Sequence, residues 1–228
     1  MHRSTWFFGI ATIFITTLLT ANITAVKLAD FGTFPLIGEI VLPAAIIIFP
    51  LSYIVGDILT EVYGFAATRR VIWMGFFANL ILVIFIYLCQ LLPPAVFWNW
   101  QEAYENILGF TSRLLIASFT AYLVGEFANS MILARLKVIT EGRWLFIRTI
   151  SSTVVGQGID SALFITIAFL NVLDGSDLIR MIALQWSFKV LYEVIATPLT
   201  YAIVGFLKQK ENIDIYDEET SFNPLQLR

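Results

Sequence analysis

Five carboxylates and one ammonium group lie inside long apolar stretches of this 228-residue chain. Asp57 and Glu61 stand four apart in FPLSYIVGDILTEVYG, Glu126 sits in YLVGEFANS, and Asp160 ends GQGID. Lys189 and Glu193, again four apart, lie in FKVLYEVIATP. An ionisable side chain at the centre of a bilayer costs roughly 2.5 kcal/mol or more, so six facing lipid would cost on the order of 15 kcal/mol. That sum rivals the whole stability of a typical domain. These groups must therefore face one another or a wet cavity. Carboxylates so placed can accept strong hydrogen bonds from a donor-rich ligand, hold a cationic amine or relay protons.

Simpler structural roles account for part of the set. Lys189 and Glu193 share a helix face and are placed to balance each other as an ion pair or gate. Glu61, nearer the cytoplasmic end, is placed to meet Arg69 or Arg70 as an ion pair or inner gate. One cation still leaves at least three carboxylates without a charge partner. Those are protonated, bonded to donors, or open to the donors of a ligand. Amides and hydroxyls accompany them: Asn129 and Ser130 follow Glu126 by one turn, and Gln157 and Ser161 share the face of Asp160. Tyr53 lies one turn before Asp57. Gly125, Gly156 and Gly158 permit close approach of backbone or ligand. Thr12, Thr16, Thr20 and Thr24 form an i+4 stripe whose hydroxyls more often bond the preceding turn than a substrate.

A guanine-like ring suits the acids, because its N1–H and 2-amino group lie side by side and one carboxylate can accept both. Asp160 or Glu126 would take that edge, Gln157 and Asn129 the remaining polar edge. Tyr53, Trp186 or Tyr192 could stack on the ring face. A cationic amine or a proton relay fits the acids equally well.

The elements that must position these residues are membrane helices. The chain is 58% hydrophobic and 14% charged, against about a quarter charged in soluble domains. Six apolar helices are predicted, over 6–26, 40–63, 70–92, 113–136, 144–171 and 178–207. This is an all-α polytopic membrane protein whose transport domain covers 1–207. A polar, acidic tail, 208–228, follows and reads as solvated and partly disordered. Pro50 and Pro198 would let the second and sixth helices bend. Ten basic residues, namely Arg3, Arg69, Arg70, Arg135, Lys137, Arg143, Arg148, Lys208, Lys210 and Arg228, fall on one side. Only Lys27, Arg113 and Arg180 fall on the other. That bias puts both termini in the cytoplasm. Trp98, Trp100 and Tyr104 suit an interfacial aromatic belt in the outer loop.

Other functions lose support. His2 is the sole histidine and Cys89 the sole cysteine, which removes His-based metal sites, Ser-His or Cys-His pairs and an intrachain disulfide. No nucleotide-binding GxxxxGK[ST] loop occurs. A net charge of −3 offers no nucleic-acid surface. Asp57 with Asp160 could imitate an intramembrane aspartyl protease, but the usual aspartate motifs of those enzymes are missing. The chain reads as a non-enzyme with no cofactor and no metal.

FPLSYIVGDILTEVYGFAATRRVIW, RLLIASFTAYLVGEFANS, STVVGQGIDSALF and FKVLYEVIATPLTY together resemble the queuosine precursor transporter family, a vitamin-uptake-transporter-like group. The resemblance runs from the first helix to the IDIYDEETSFNP tail. It implies a six-helix importer of the inner membrane, similar in fold to the substrate-binding subunits of energy-coupling-factor vitamin transporters. Implied substrates are 7-cyano-7-deazaguanine and 7-aminomethyl-7-deazaguanine, salvaged for queuosine in transfer RNA, or in some members queuine or its nucleoside. The family's acidic and amide positions match Asp57, Glu61, Glu126, Asn129, Gln157 and Asp160, and its basic position matches Lys189. The expected substrate-binding set is these, less Glu61, with Tyr53, Trp186 and Glu193. Expected partners are a small deazapurine, the bilayer and, in some arrangements, further copies of the chain. Nothing in the chain supplies energy, so a substrate-binding subunit of a multi-component importer is the alternative.

Overall fold

The computed structural model describes residues 5–34, 38–109, 112–172 and 174–226. His2, Arg3 and Arg228 lie outside the described residues. Helix α1, Thr5–Thr24, is followed by an antiparallel hairpin, β1 (Leu28–Phe34) with β2 (Gly38–Pro43). A 3-10 turn over Ala44–Ile47 leads into α2, Phe49–Tyr63. Then come α3 (Phe65–Gln90), α4 (Gln101–Leu108), α5 (Ser112–Ile139), α6 (Leu145–Phe169) and α7 (Gly175–Glu211). Among the described residues five helical stretches, those containing α1, α3, α5, α6 and α7, are long and apolar enough to cross a membrane. The protein is an all-α, multi-pass membrane protein.

The second predicted helix is the one that changes. Its first residues, 40–43, belong to β2, and the helix itself starts at Phe49. The residue before a proline is pushed away from the α region, so Leu42 before Pro43 is extended. Pro50 falls in the first turn of α2, where no intrahelical N–H is lost. It starts the helix rather than bending it. Pro198 does lie inside α7. With 15 residues α2 is about 22 Å long, short of the ~30 Å hydrocarbon core. It works instead as a central post, with 13 residues buried and α1, α3, α5 and α7 packed around it. Its apolar side, Ile54, Ile58 and Val62 among others, forms the core with Phe7 and Phe14 of α1 and Val204 and Leu207 of α7.

The break between α2 and α3 is one residue, Gly64, whose φ of 78° an L side chain rarely adopts. Arg69 and Arg70 therefore lie in the first turns of α3 rather than in a loop. In α1 the hydroxyls of Thr12, Thr20 and Thr24 bond the carbonyls four residues earlier, so they serve the helix, as the spacing suggests.

Helices α5 and α6 make the closest packing in the bundle, through a reciprocal pair of glycines. A Cβ on Gly125 would lie 2.7 Å from the Cβ of Asp160, and one on Gly156 would lie 2.6 Å from the Cβ of Asn129. Each glycine is thus the socket for a polar residue one turn from the opposing glycine. Alanine at either site should force the helices apart. Gly125→Ala and Gly156→Ala should each lose about 1–3 kcal/mol, read as a lower unfolding midpoint in detergent by circular dichroism. Gly205→Ala, where the added carbon meets nothing within 4 Å, should show no such loss. Equal midpoints for all three would contradict the socket reading.

Candidate functional site

Helices α2, α5, α6 and α7 carry polar side chains at two depths. The deeper layer holds Asp57 (α2), Glu126, Asn129 and Ser130 (α5), Thr153, Gln157, Asp160 and Ser161 (α6), and Lys189 and Glu193 (α7). All but Asp160 are buried. Asn129 donates its Nδ2 to Asp57 Oδ1 at 2.6 Å. Lys189 donates to Asp160 Oδ2, pairing across α6 and α7. Its ammonium also lies 5.4 Å from the ring centre of Tyr53 and 5.7 Å from that of Phe49, rings that lie parallel, 4° apart. A cation over aromatic faces is held electrostatically. The carboxylate of Glu126 is pressed against Gly56, where a Cβ would lie 2.6 Å from its Oε1. Glycine at 56 is thus what lets α2 and Glu126 meet.

The expected Lys189–Glu193 pair does not form this way. Lys189 takes the acid of α6, and Glu193 Oε1 is left with no hydrogen-bond partner among the described residues. The i+4 spacing put both groups on one face, but lysine preceding glutamate is the weaker orientation of such a pair, and Asp160 stands within reach across the α6–α7 seam. Trp186, expected to stack on the ligand, lies outside the cluster. It is 37% exposed, its Nε1 donates 2.9 Å to the Val154 carbonyl, and its ring lies against Gly158. Tyr192 also points outward.

Acceptors predominate among the free valences of this layer. Asp57 Oδ2, Glu126 Oε1, Asn129 Oδ1, Gln157 Oε1 and Glu193 Oε1 are buried and have no hydrogen-bond partner among the described residues. The hydroxyls of Ser130, Thr153 and Ser161 are likewise unpartnered. Buried polar atoms are nearly always bonded, so a concentration of unmet acceptors on four facing helices marks a place built for a group that brings donors.

The shallower layer is Glu61 with its cations. Glu61 Oε1 accepts from Lys208 at 2.7 Å and from Arg148 Nη2 at 2.8 Å, and lies 3.8 Å from Lys137. Lys137 also donates to the Glu61 carbonyl at 2.6 Å. These ion pairs replace the expected pairing with Arg69 or Arg70. Arg69 reaches the tail instead, donating to the carbonyls of Ser221 and Asn223, each at 2.8 Å. Helix geometry explains the exchange: Arg69 is eight residues past Glu61 but across the Gly64 break, which redirects α3.

The tail, expected to be solvated, is docked on this layer. Asp214 Oδ1 accepts from Lys137 at 2.5 Å and lies 3.0 Å from Lys208. Partial burial raises the Asp214 carboxyl, but hydrogen bonds and charge from Lys137 and Lys208 outweigh that and hold it below its ordinary value. The tie is therefore fully made above the ordinary aspartate range and is lost only as pH falls through the lowered value. Asp217 accepts the Phe65 N–H at 2.8 Å, covering an orphan donor at the start of α3.

Lys137, Arg148 and Asp214 read in the sequence as topogenic or solvated charges. For Lys137 there was a signal: it stands 11 residues, three whole turns, after Glu126 and so on the same face. Arg148 and Asp214 offered none, since their partner lies on another element. At the opposite end of the bundle Arg113 bonds the carbonyls of Ile167 and Leu170, while Trp100, Val96 and Phe97 of the outer loop are exposed.

The sequence model of the family described as "Putative vitamin uptake transporter" matches residues 43–203. A "Probable queuosine precursor transporter" of Bacillus subtilis is 26% identical over 193 residues, 84% of this chain and 81% of the relative. A "Queuosine precursor transporter" of Escherichia coli is 27% identical over 151 residues, 64% of this chain and 65% of the relative. A "Probable queuosine precursor transporter" of Haemophilus influenzae is 27% identical over 126 residues, 55% of this chain and 51% of the relative. No solved structure matches the chain significantly.

Proposed function

This chain belongs to that vitamin uptake transporter family, and we propose that it imports queuosine precursors, binding a 7-deazaguanine base in the deeper polar layer. Membership in a transporter family, and relatives named for queuosine precursors, support the class of activity. The observation that carries the substrate class is the surplus of acceptors. Five buried oxygens without partners among the described residues call for a ligand rich in N–H groups, and the Tyr53 ring face suits a flat one. A deazaguanine presents N1–H and a 2-amino group on one edge and ring N–H on another. 7-Cyano-7-deazaguanine and 7-aminomethyl-7-deazaguanine are both of this kind.

Glu126 is the acid we assign to the N1–H and 2-amino edge. Asp160 is already engaged by Lys189 and Asp57 by Asn129, whereas Glu126 Oε1 is unpartnered. Gln157 and Asn129 flank it, and Tyr53 offers a ring face. The shallower layer of Glu61, Lys137, Arg148 and Lys208 closes the side on which the tail lies. That end also carries Arg69, Arg70, Arg135 and Lys210, so it faces the cytoplasm by the positive-inside bias. The reading places the protein in a cytoplasmic membrane with the tail inside.

Proteoliposomes holding the purified chain alone should accumulate labelled 7-cyano-7-deazaguanine and be outcompeted by the aminomethyl base. Binding without uptake would instead identify a substrate-binding subunit that needs a partner. Absence of both would remove the proposal.

A further inference from the structure

The last described segment, 212–226, mixes acidic and polar residues with Ile213, Ile215 and Phe222 and lies against three helices. Asp214 bridges Lys137 of α5 and Lys208 of α7. The carbonyl of Ile215 accepts from Lys137 at 2.7 Å, and the Tyr216 ring lies 4.6 Å from the same ammonium. A Cβ on Gly64 would lie 2.8 Å from the Ile215 side chain, so the tail sits directly on the α2–α3 break. Farther along, Phe222 packs on Phe65 and under the Arg135 guanidinium, 4.8 Å away, and the Trp73 indole donates 2.8 Å to the Pro224 carbonyl.

The charge balance ties this segment to the shallower layer. Lys137, Arg148 and Lys208 bring three positive charges, and Glu61 and Asp214 bring two negative ones. Remove the tail and three cations share one acid in a site where Lys137 and Arg148 are each only 1% exposed. Their mutual repulsion in a low dielectric would then favour separation of α5, α6 and α7. Asp57 and Glu61 are one turn, about 6 Å, apart on α2, so opening the Glu61 layer exposes the deeper layer.

We propose that the C-terminal segment is a latch on the tail-side gate: docked, Asp214 and Asp217 keep the Glu61 layer shut, and release of the segment opens a path from the buried acceptor cluster to the cytoplasm. The proposal rests on reading that cluster as the substrate site. It also gives the acidic tail a role that solubility alone would not require, since Asp214 and Asp217 are spent on partners in the bundle.

The test is the accessibility of a buried thiol, measured without substrate so that it stands apart from the transport reading. In a Cys89→Ser background, one reporter is Ser130→Cys, in the deeper layer, and a second is Ala117→Cys, buried toward the other end of α5; both native residues are 0% exposed. In nanodiscs, a hydrophilic maleimide should label the residue-130 thiol at least fivefold faster when Asp214 and Asp217 are both alanine. Labelling at 117 should stay unchanged. Trp73→Phe, which deletes the N–H to Pro224 and trims the ring, provides a milder release and should accelerate labelling at 130 by a smaller factor. Unchanged labelling at 130 in both variants, or an equal rise at 117, would overturn the latch. Uptake by the wild-type chain in proteoliposomes would survive that outcome, so the two failures are distinguishable.

Discussion

Glu61→Gln should destabilise the protein more than any other single substitution of a polar residue in the bundle. The change keeps the shape of the side chain and deletes one charge. It leaves Lys137 and Arg148, each 1% exposed, and Lys208 with Asp214 as their remaining acid. Breaking a buried ion pair by removing one partner costs about 3–5 kcal/mol, against a typical total of roughly 5–15 kcal/mol. The expected result is a sharp fall in the unfolding midpoint in detergent, or failure to accumulate in the membrane. Glu61→Gln combined with Arg148→Met should recover part of the loss, because the second change removes a stranded charge and fills its volume. A single variant as stable as the wild type would show that the layer is not held by this acid.

The second large effect is on ligand binding, and it separates two acids that the sequence treats alike. Glu126→Gln should lower affinity for the deazaguanine base at least tenfold, about 1.4 kcal/mol, while leaving the unfolding midpoint close to that of the wild type. The substitution replaces an acceptor edge with a mixed donor–acceptor edge, so the bidentate contact with N1–H and the 2-amino group is broken. A site built to bond polar ligand groups discriminates steeply when that match is lost. Asp160→Asn should instead act chiefly on stability and lower the midpoint. Lys189, 2% exposed, would keep its charge with no ionised partner on α6. Isothermal titration and thermal unfolding on the same preparations check both. Wild-type affinity in Glu126→Gln would sink the carboxylate assignment, and a stable Asp160→Asn would show the ion pair with Lys189 to be dispensable.

Much of this site was legible before any fold was known. The rule that charge in hydrocarbon must be matched picked out Asp57, Glu61, Glu126, Asp160, Lys189 and Glu193, and helical spacing added Asn129 and Gln157; the structure brings all but Glu61 into one cluster in which only Asp160 is partly exposed. The glycines at 125 and 156 were recognisable as points of close approach. Their reciprocal fit, each receiving the Cβ of Asp160 or Asn129, was not, since it depends on how α5 and α6 are aligned. The short α2 was obscured by a continuous apolar run: hydropathy does not distinguish β2 and a 3-10 turn from helix when both are apolar, and only Pro43 and Pro50 hinted at the boundary.

What the sequence determined by itself is the class of the molecule and the membership of its polar layer. Both follow from composition and from helical spacing, which are local properties, and from the cost of burying charge, which applies in any arrangement. Which group pairs with which was decided by the tertiary structure alone. Spacing along one helix says that Lys189 and Glu193 share a face, but not that Asp160 of α6 lies opposite and captures the ammonium. Nor can it say that the Gly64 break turns Arg69 away from Glu61 while Lys137, Arg148 and Lys208 converge on it from three other helices. The tail shows the same limit most plainly: its acids would be solvated in isolation, and the segment is held because the bundle supplies buried cations for them and apolar seats for Ile213, Ile215 and Phe222, partners that no local pattern could reveal.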